Sequence, residues 1–103
     1  MSTYFISRHQ GATQWLEQQG FHIDQLLSHF DPEIMQTGDI ILGTLPINLV
    51  AKICDKGGQY FHLSLDIPPE YRGQELSLQQ MQQFNARLQA FEAKELSKKP
   101  CPS

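Results

Sequence analysis

The stretch GDIILGTLPINLVAKICDKGGQYFHLSLD, residues 38–66, decides the fold class. Ile40, Ile41 and Leu42 form an unbroken apolar run, the pattern of a strand covered on both faces, and Thr37-Gly38-Asp39 supplies a turn ahead of it. Gly43-Thr44-Leu45-Pro46 ends the run. Pro46 suits the first turn of a helix, where the N–H it lacks has no intrahelical acceptor. Ile47, Val50, Ala51 and Cys54 then keep the i, i+3, i+4, i+7 spacing of a buried helical face as far as Gly57-Gly58. From Gln59 the period changes to two. Phe61, Leu63, Leu65 and Ile67 alternate with Tyr60, His62, Ser64 and Asp66, so one face of this strand meets the core and the other is polar. A strand, a helix and a strand in this order form the unit of a mainly parallel sheet with helices packed on it.

The flanks extend the same pattern. Thr3 to Ser7 is rich in β-formers and reads as a strand running into the loop SRHQG. A helix follows from Ala12, with Ala12, Trp15 and Leu16 on one face and Gly20 as its C-terminal cap. Phe21 to Phe30, with Ile23, Leu26 and Leu27, fits a strand or a single helical turn about equally well and is taken as a strand, and Asp31-Pro32 reads as a turn or short helix. After PPEYRG, the residues Leu78, Met81, Phe84, Leu88 and Phe91 recur at spacings of three and four, which predicts one last helix. The expected order is β-α-β-β-α-β-α: an α/β sandwich of three layers, with a mainly parallel sheet of about four strands flanked by helices. The chain is 103 residues long, room for one core. Residues 1–96 are expected to form a single domain, and residues 97–103, with Lys98, Lys99, Pro100 and Pro102, a disordered tail.

Charge and cysteines narrow the function. Eight Lys and Arg against eleven Asp and Glu give a net charge of 8 − 11 = −3. That mild acidity provides no field for coating long DNA or RNA or an anionic membrane, so an anionic ligand must be small and met by a local cluster. Cys54 and Cys101 stand in unrelated contexts without ligand or disulfide spacing, which fits a reducing cytoplasm. No window approaches a membrane span of about 18 apolar residues, and no signal peptide is legible.

In open sheets of this class, ligands bind beyond the carboxyl ends of the strands, where loops lead into helices. Three segments satisfy that rule: Ser7-Arg8-His9, Gly43 to Asn48, and His62 to Asp66 running into PPEYRG. Arg8 and Arg72 are two of the three arginines, and a planar guanidinium suits bidentate phosphate contact. Arg72 has the competing reading of a partner for Glu70 or Glu75, and Arg8 that of a solvated side chain. Thr44 and Asn48 flank a helix start that favours an anion, and Gly43 allows close approach to the backbone; Thr44 also reads as a plain helix cap. His9 has the chemistry of a general acid or base, or is an inert loop residue. His62, Ser64 and Asp66 share one strand face, but their side chains run parallel and do not converge as a hydrolytic triad. They are better read as lining a cleft in which Ser64 bonds a ligand and Asp66 orients another group. No Gly-rich phosphate motif is present, and the histidines lack metal-ligand spacing, so neither cofactor nor metal is indicated.

YFISRHQGATQW (residues 4–15), GDIILGTLPINLVAKIC (38–54) and YFHLSLDIPPEYRG (60–73) together resemble a family of small accessory proteins of type III CRISPR systems, over almost the whole chain. SRHxGA, GTLPxN and HLSLDxPxExRG, in that order, carry the resemblance. It implies a stand-alone relative of the Rossmann-like domains that bind cyclic oligoadenylates, with a ring nuclease activity that cuts cyclic tetra-adenylate and ends the antiviral signal. It also implies a homodimer, since two copies of Arg8, Thr44 and Arg72 would surround a nearly symmetric ring of four phosphates. Cleavage would use the ligand's own 2′-hydroxyl and need no metal. Position and chemistry assign Arg8 to charge stabilisation and His9 to proton transfer, with Ser7, Gly43, Thr44, Asn48, Ser64, Asp66 and Arg72 shaping the pocket. Two other readings stand beside this one: a module that sequesters the same ligand without cutting it, and a protein-interaction subunit using the Gln-rich face of the last helix.

Overall fold

A computed structural model describes residues 2–7 and 10–96 of the chain. Arg8, His9 and the tail 97–103 lie outside the described residues. Strand β1 spans Thr3–Ile6, helix α1 Gln10–Gln18, β2 Gln25–Leu27, β3 Ile40–Gly43, α2 Ile47–Asp55, β4 Gln59–Ser64, α3 Leu78–Gln83 and β5 Arg87–Phe91. Single 3-10 turns at Pro32–Ile34 and Pro69–Tyr71 punctuate the connections. The fold is a small α/β structure with three helices and a five-stranded sheet in the order β2-β1-β3-β4-β5. The first four strands run parallel, and β5 pairs antiparallel with β4.

Side-chain alternation gives the sheet two covered faces. Phe5, Leu42 and Leu63 point toward α1 and α3 and pack with Ala12, Trp15, Leu16, Met81 and Phe84. Tyr4, Ile6, Ile41 and Tyr60 point the other way, against Val50 and Ile53 of α2 and Met35. The register explains the division: Tyr4 lies opposite Ile41 and Ile41 opposite Tyr60, so residues of like orientation stack across three strands.

Two glycines are fixed by close packing. A Cβ on Gly11 would strike the Leu76 carbonyl oxygen and lie 2.8 Å from the Ser77 carbonyl carbon, because α1 crosses the start of α3 at that point. A Cβ on Gly43 would lie 3.0 Å from the Ile6 carbonyl oxygen, so this glycine lets β3 approach β1.

The sequence expectation requires four corrections here. The sheet has five strands, because the last predicted helix is a short helix followed by a strand. Asn85 breaks it at φ 58°, a left-handed position that Asn tolerates. The Ala86 amide donates to the Met81 carbonyl and the Asn85 amide to that of Gln82, the bonding of a Schellman cap. Second, the face of β4 read as polar is partly core, since Tyr60 is buried on the α2 side while His62 and Ser64 are half-buried. Third, α2 buries Val50 and Ile53, while Ile47 is 77% exposed. Fourth, Thr44 does not cap α2; the N-cap position is Pro46, without a side-chain hydrogen bond.

Candidate functional site

Strand order reverses at the centre of the sheet. From β1 the chain passes to β2 on one side, and β3 joins β1 on the other, so the carboxyl ends of β1 and β3 diverge into separate connections and leave a crevice between them. A cleft of about 310 Å³ opens there. Its polar wall comes from Ser7 after β1, from Gly43 and Thr44 after β3, and from Tyr71 and Gln74 in the loop after β4; Phe5, Leu63, Leu65 and Met81 form its apolar floor. The ring of Tyr71 is held against Phe84 with centroids 5.1 Å apart. Gln74 Nε2 donates to the Glu70 carbonyl at 3.3 Å. The Thr44 side chain is exposed and makes no hydrogen bond among the described residues.

The predicted site residues divide into groups. Ser7, Gly43 and Thr44 meet in this cleft. Arg72 caps the 3-10 turn between Tyr71 and Gly73, both of which line the cleft; it is exposed and has no ion pair among the described residues. Asn48 is exposed on the first turn of α2 and does not line the cleft. Arg8 and His9, expected to do the chemistry, are outside the described residues.

His62 and Ser64 stand on the opposite face of β4 and line a second cavity of about 300 Å³. Ser64, expected to shape one pocket with Ser7 and Thr44, lies in a different cavity from them. Asp66 is engaged elsewhere. Asn85 Nδ2 donates to its Oδ2 at 3.2 Å, and Arg87 Nη1 lies 3.2 Å from Oδ1. The Asn85 hydrogen bond, then the Arg87 hydrogen bond and charge, hold the Asp66 carboxyl below its ordinary range. This cluster ties the end of β4 to the start of β5.

Tyr60 was missed by sequence reasoning as anything beyond an alternating strand residue. Its hydroxyl is 2.9 Å from the Leu45 amide, 3.0 Å from the Gly43 carbonyl and 2.8 Å from His62 Nδ1. Burial pushes the phenol above its ordinary pKa, against a smaller opposing effect of the Leu45 amide, so the hydroxyl keeps its proton through the neutral range. The side chain therefore pins the β3–α2 loop from below. A signal was present: in an alternating strand whose polar face also meets a helix, a tyrosine brings a hydroxyl that must find partners.

Among the described residues no three His, Cys, Asp or Glu side chains gather as metal ligands. No helix is long and apolar enough to cross a membrane, among the residues described. Comparison with curated proteins and with solved structures gives no match. One family model does match, over residues 4–94, described as "Putative CRISPR-associated protein (Cas_VVA1548)". That span holds every element from α1 to β5 and all of β1 but Thr3, with the cleft and the second cavity. The chain belongs to this CRISPR-associated family.

Proposed function

We propose that the protein is a ring nuclease of type III CRISPR systems, which binds cyclic tetra-adenylate at a homodimer interface and cleaves it without a metal. The observation that carries this reading is the cleft between the carboxyl ends of β1 and β3, bordered by Ser7, Gly43 and Thr44, in a chain of the CRISPR-associated family. A Rossmann-like relationship to cyclic-oligoadenylate domains belongs to the same proposal.

Size supports the dimer. The cleft is at the small end of ligand pockets, roughly 300–1,000 Å³, and accommodates about one nucleotide. A ring of four nucleotides exceeds one such cleft, and two clefts facing one another across a two-fold axis would each take one of its nucleotides, on opposite sides of the ring. Each protomer offers the Thr44 hydroxyl as a donor, with Ser7 lining the same cleft and Arg72 between two of its lining residues, Tyr71 and Gly73.

In the reaction, a 2′-hydroxyl oxygen of the ligand bonds to the adjacent phosphorus and the P–O5′ bond breaks. The products carry a 2′,3′-cyclic phosphate and a 5′-hydroxyl, and one proton passes overall from the attacking to the leaving oxygen. Atoms and charge balance with no co-reactant. The protein holds the attacking and leaving oxygens in line and stabilises charge on the phosphoryl oxygens. Arg8 is assigned the second task and His9 the proton, on their chemistry and their place in the sequence.

The test is incubation of the purified protein with cyclic tetra-adenylate in excess EDTA, with chromatography of the products and a binding titration on the same sample. Cleavage in EDTA is expected, and Arg8→Ala is expected to lose it while binding stays within a few-fold. Tight binding without turnover, even after Mg²⁺ or Mn²⁺ is added, would make the protein a sequestering module. Absence of binding would remove the nucleotide reading altogether.

A further inference from the structure

The second cavity has a different chemistry. A phenol has one proton and two acceptor lone pairs. The Leu45 amide only donates and the Gly43 carbonyl only accepts, so all three contacts of the Tyr60 hydroxyl are hydrogen bonds at once in a single arrangement. The hydroxyl donates to Gly43, accepts from Leu45 and accepts from His62 Nδ1–H. Neutral His62 is thereby the Nδ1–H tautomer, and Nε2 is left as a lone-pair acceptor with no partner among the described residues.

The other polar groups of the cavity have the same sense. Ser64 Oγ spends its proton on Gln89 Oε1 at 2.7 Å, so it too presents lone pairs. Glu92 lines the cavity with a carboxylate. The remaining surface is apolar or aromatic, from Leu45, Ile47, Val50, Phe91 and Ala93. Phe91 packs edge-on to the His62 ring at 5.9 Å, yet is 51% exposed, as Ile47 is by 77%. Flat apolar walls and side chains that only accept exclude a phosphate and call for an uncharged, planar ring with N–H donors.

We propose that this cavity is a binding site for an amino-substituted aromatic heterocycle of the aminopurine class, read by His62 Nε2. The proposal deepens the nuclease reading and rests on it for the identity of the ring as the adenine of the nucleotide ligand. The β3–α2 loop joins the two places: Gly43 and Thr44 border the cleft and Leu45 borders the cavity. A nucleotide straddling this loop would set its phosphate on the donor side and its base on the acceptor side.

The experiment is a titration of the wild-type chain with adenosine, inosine, purine riboside and inorganic phosphate in turn, followed by long-range ¹⁵N NMR of the His62 ring. It is run at pH 8. Adenosine is expected to move His62 Nε2. Purine riboside, which lacks the exocyclic amine, should bind roughly tenfold more weakly, the effect of one good hydrogen bond. Inosine, which turns a carbonyl toward the acceptors, should bind more weakly still. In His62→Phe, followed instead by the backbone amide signals of β4, the preference for adenosine over purine riboside should be erased. Equal binding of adenosine and inosine, a His62 shift with phosphate alone, or no shift at millimolar adenosine would each overturn the proposal. Failure of the nuclease reading has another signature: intact cyclic tetra-adenylate beside an unchanged adenosine preference.

Discussion

Replacing Tyr60 by Phe removes one oxygen and tests the junction on which both cavities depend. Tyr60 is only 3% exposed; its bond to the Gly43 carbonyl is buried and its bond to the Leu45 amide part-buried. The Gly43 carbonyl and the Leu45 amide belong to the backbone and cannot turn away, whereas half-buried His62 can rotate Nδ1 toward solvent. A net hydrogen bond contributes about 1 kcal/mol, and a buried group left unpaired costs about 1–3 kcal/mol. Two backbone groups bear that penalty, so Tyr60→Phe is expected to cost about 2–4 kcal/mol, a large part of the roughly 5–15 kcal/mol available to a domain. Urea unfolding followed by tryptophan fluorescence reads this as a lower midpoint at unchanged slope. Amide exchange at Leu45 should accelerate beyond the global change, because its acceptor is gone. His62→Phe removes one half-exposed contact and should cost less than about 1 kcal/mol. The folded phenol titrates above its ordinary 10.0. Its contribution is therefore complete below the unfolded value and lost as pH rises through the folded one, and this alkaline limb should vanish in Tyr60→Phe. A loss under about 0.5 kcal/mol for Tyr60→Phe, or a larger loss for His62→Phe, would refute the bonding described.

Gly11→Ala should destabilise by about 1–3 kcal/mol, read from the urea midpoint, because the new Cβ meets backbone at Leu76 and Ser77 and one element must shift. Asp39, 3% exposed, accepts from the Gln36 amide at 2.8 Å and the Ser2 amide at 2.9 Å. The Gln36 bond foremost, against burial, with Ser2 assisting, holds its carboxyl below the ordinary 3.8. Its contribution is therefore present above that value and lost as pH falls through the folded pKa; Asp39→Asn should flatten the acid limb of a stability–pH curve. Asn85→Ala should cost about 1–2 kcal/mol, since Ala pays the full left-handed penalty, and Asn85→Gly should cost much less, with both read by thermal denaturation.

The elements from β1 to β4 were legible because each carries a single period bounded by a turn: the apolar run at Ile40 to Leu42, the alternation from Gln59, and the Gly20 stop. The error at residues 78–91 has a physical origin. Leu88 faces the α1–α3 side through the alternation of β5 and Phe91 the other side, yet both also fit the three-and-four rhythm set by Leu78, Met81 and Phe84. Only Asn85, as the left-handed residue of a Schellman cap, distinguishes a break from a continuous helix. The division of the site was hidden for a related reason. Periodicity shows that His62 and Ser64 share a face, but not that a crossover places α2 over that face while the cleft opens on the other. Arg87 was read as a helix residue for the same reason, and its pairing with Asp66 follows from the antiparallel register that sets Ser64 opposite Arg87.

A chain of net charge −3 that takes a polyanion faces an electrostatic cost wherever phosphates approach its own acceptors. The two cavities offer a way around it under the proposed function. On one side of residues 43–45, the Thr44 hydroxyl and the guanidinium of Arg72, which has no ion pair among the described residues, suit phosphate oxygens. On the other, lone pairs of His62 and Ser64 and the Glu92 carboxylate suit the amine of a base and would repel a phosphate. The Tyr60 hydroxyl fixes the loop between them at both Gly43 and Leu45, so the separation is built into the backbone and does not await the ligand. Orientation then follows from repulsion as much as attraction: a nucleotide entering the wrong way round sets phosphate against carboxylate and loses its amine contacts. Removing the Glu92 charge should therefore weaken discrimination between adenosine and inorganic phosphate at His62 more than it weakens adenosine binding, and the same long-range ¹⁵N titration, repeated on Glu92→Gln, reads both quantities. Equal weakening of the two would show that Glu92 merely contacts the ring and does not repel the anion.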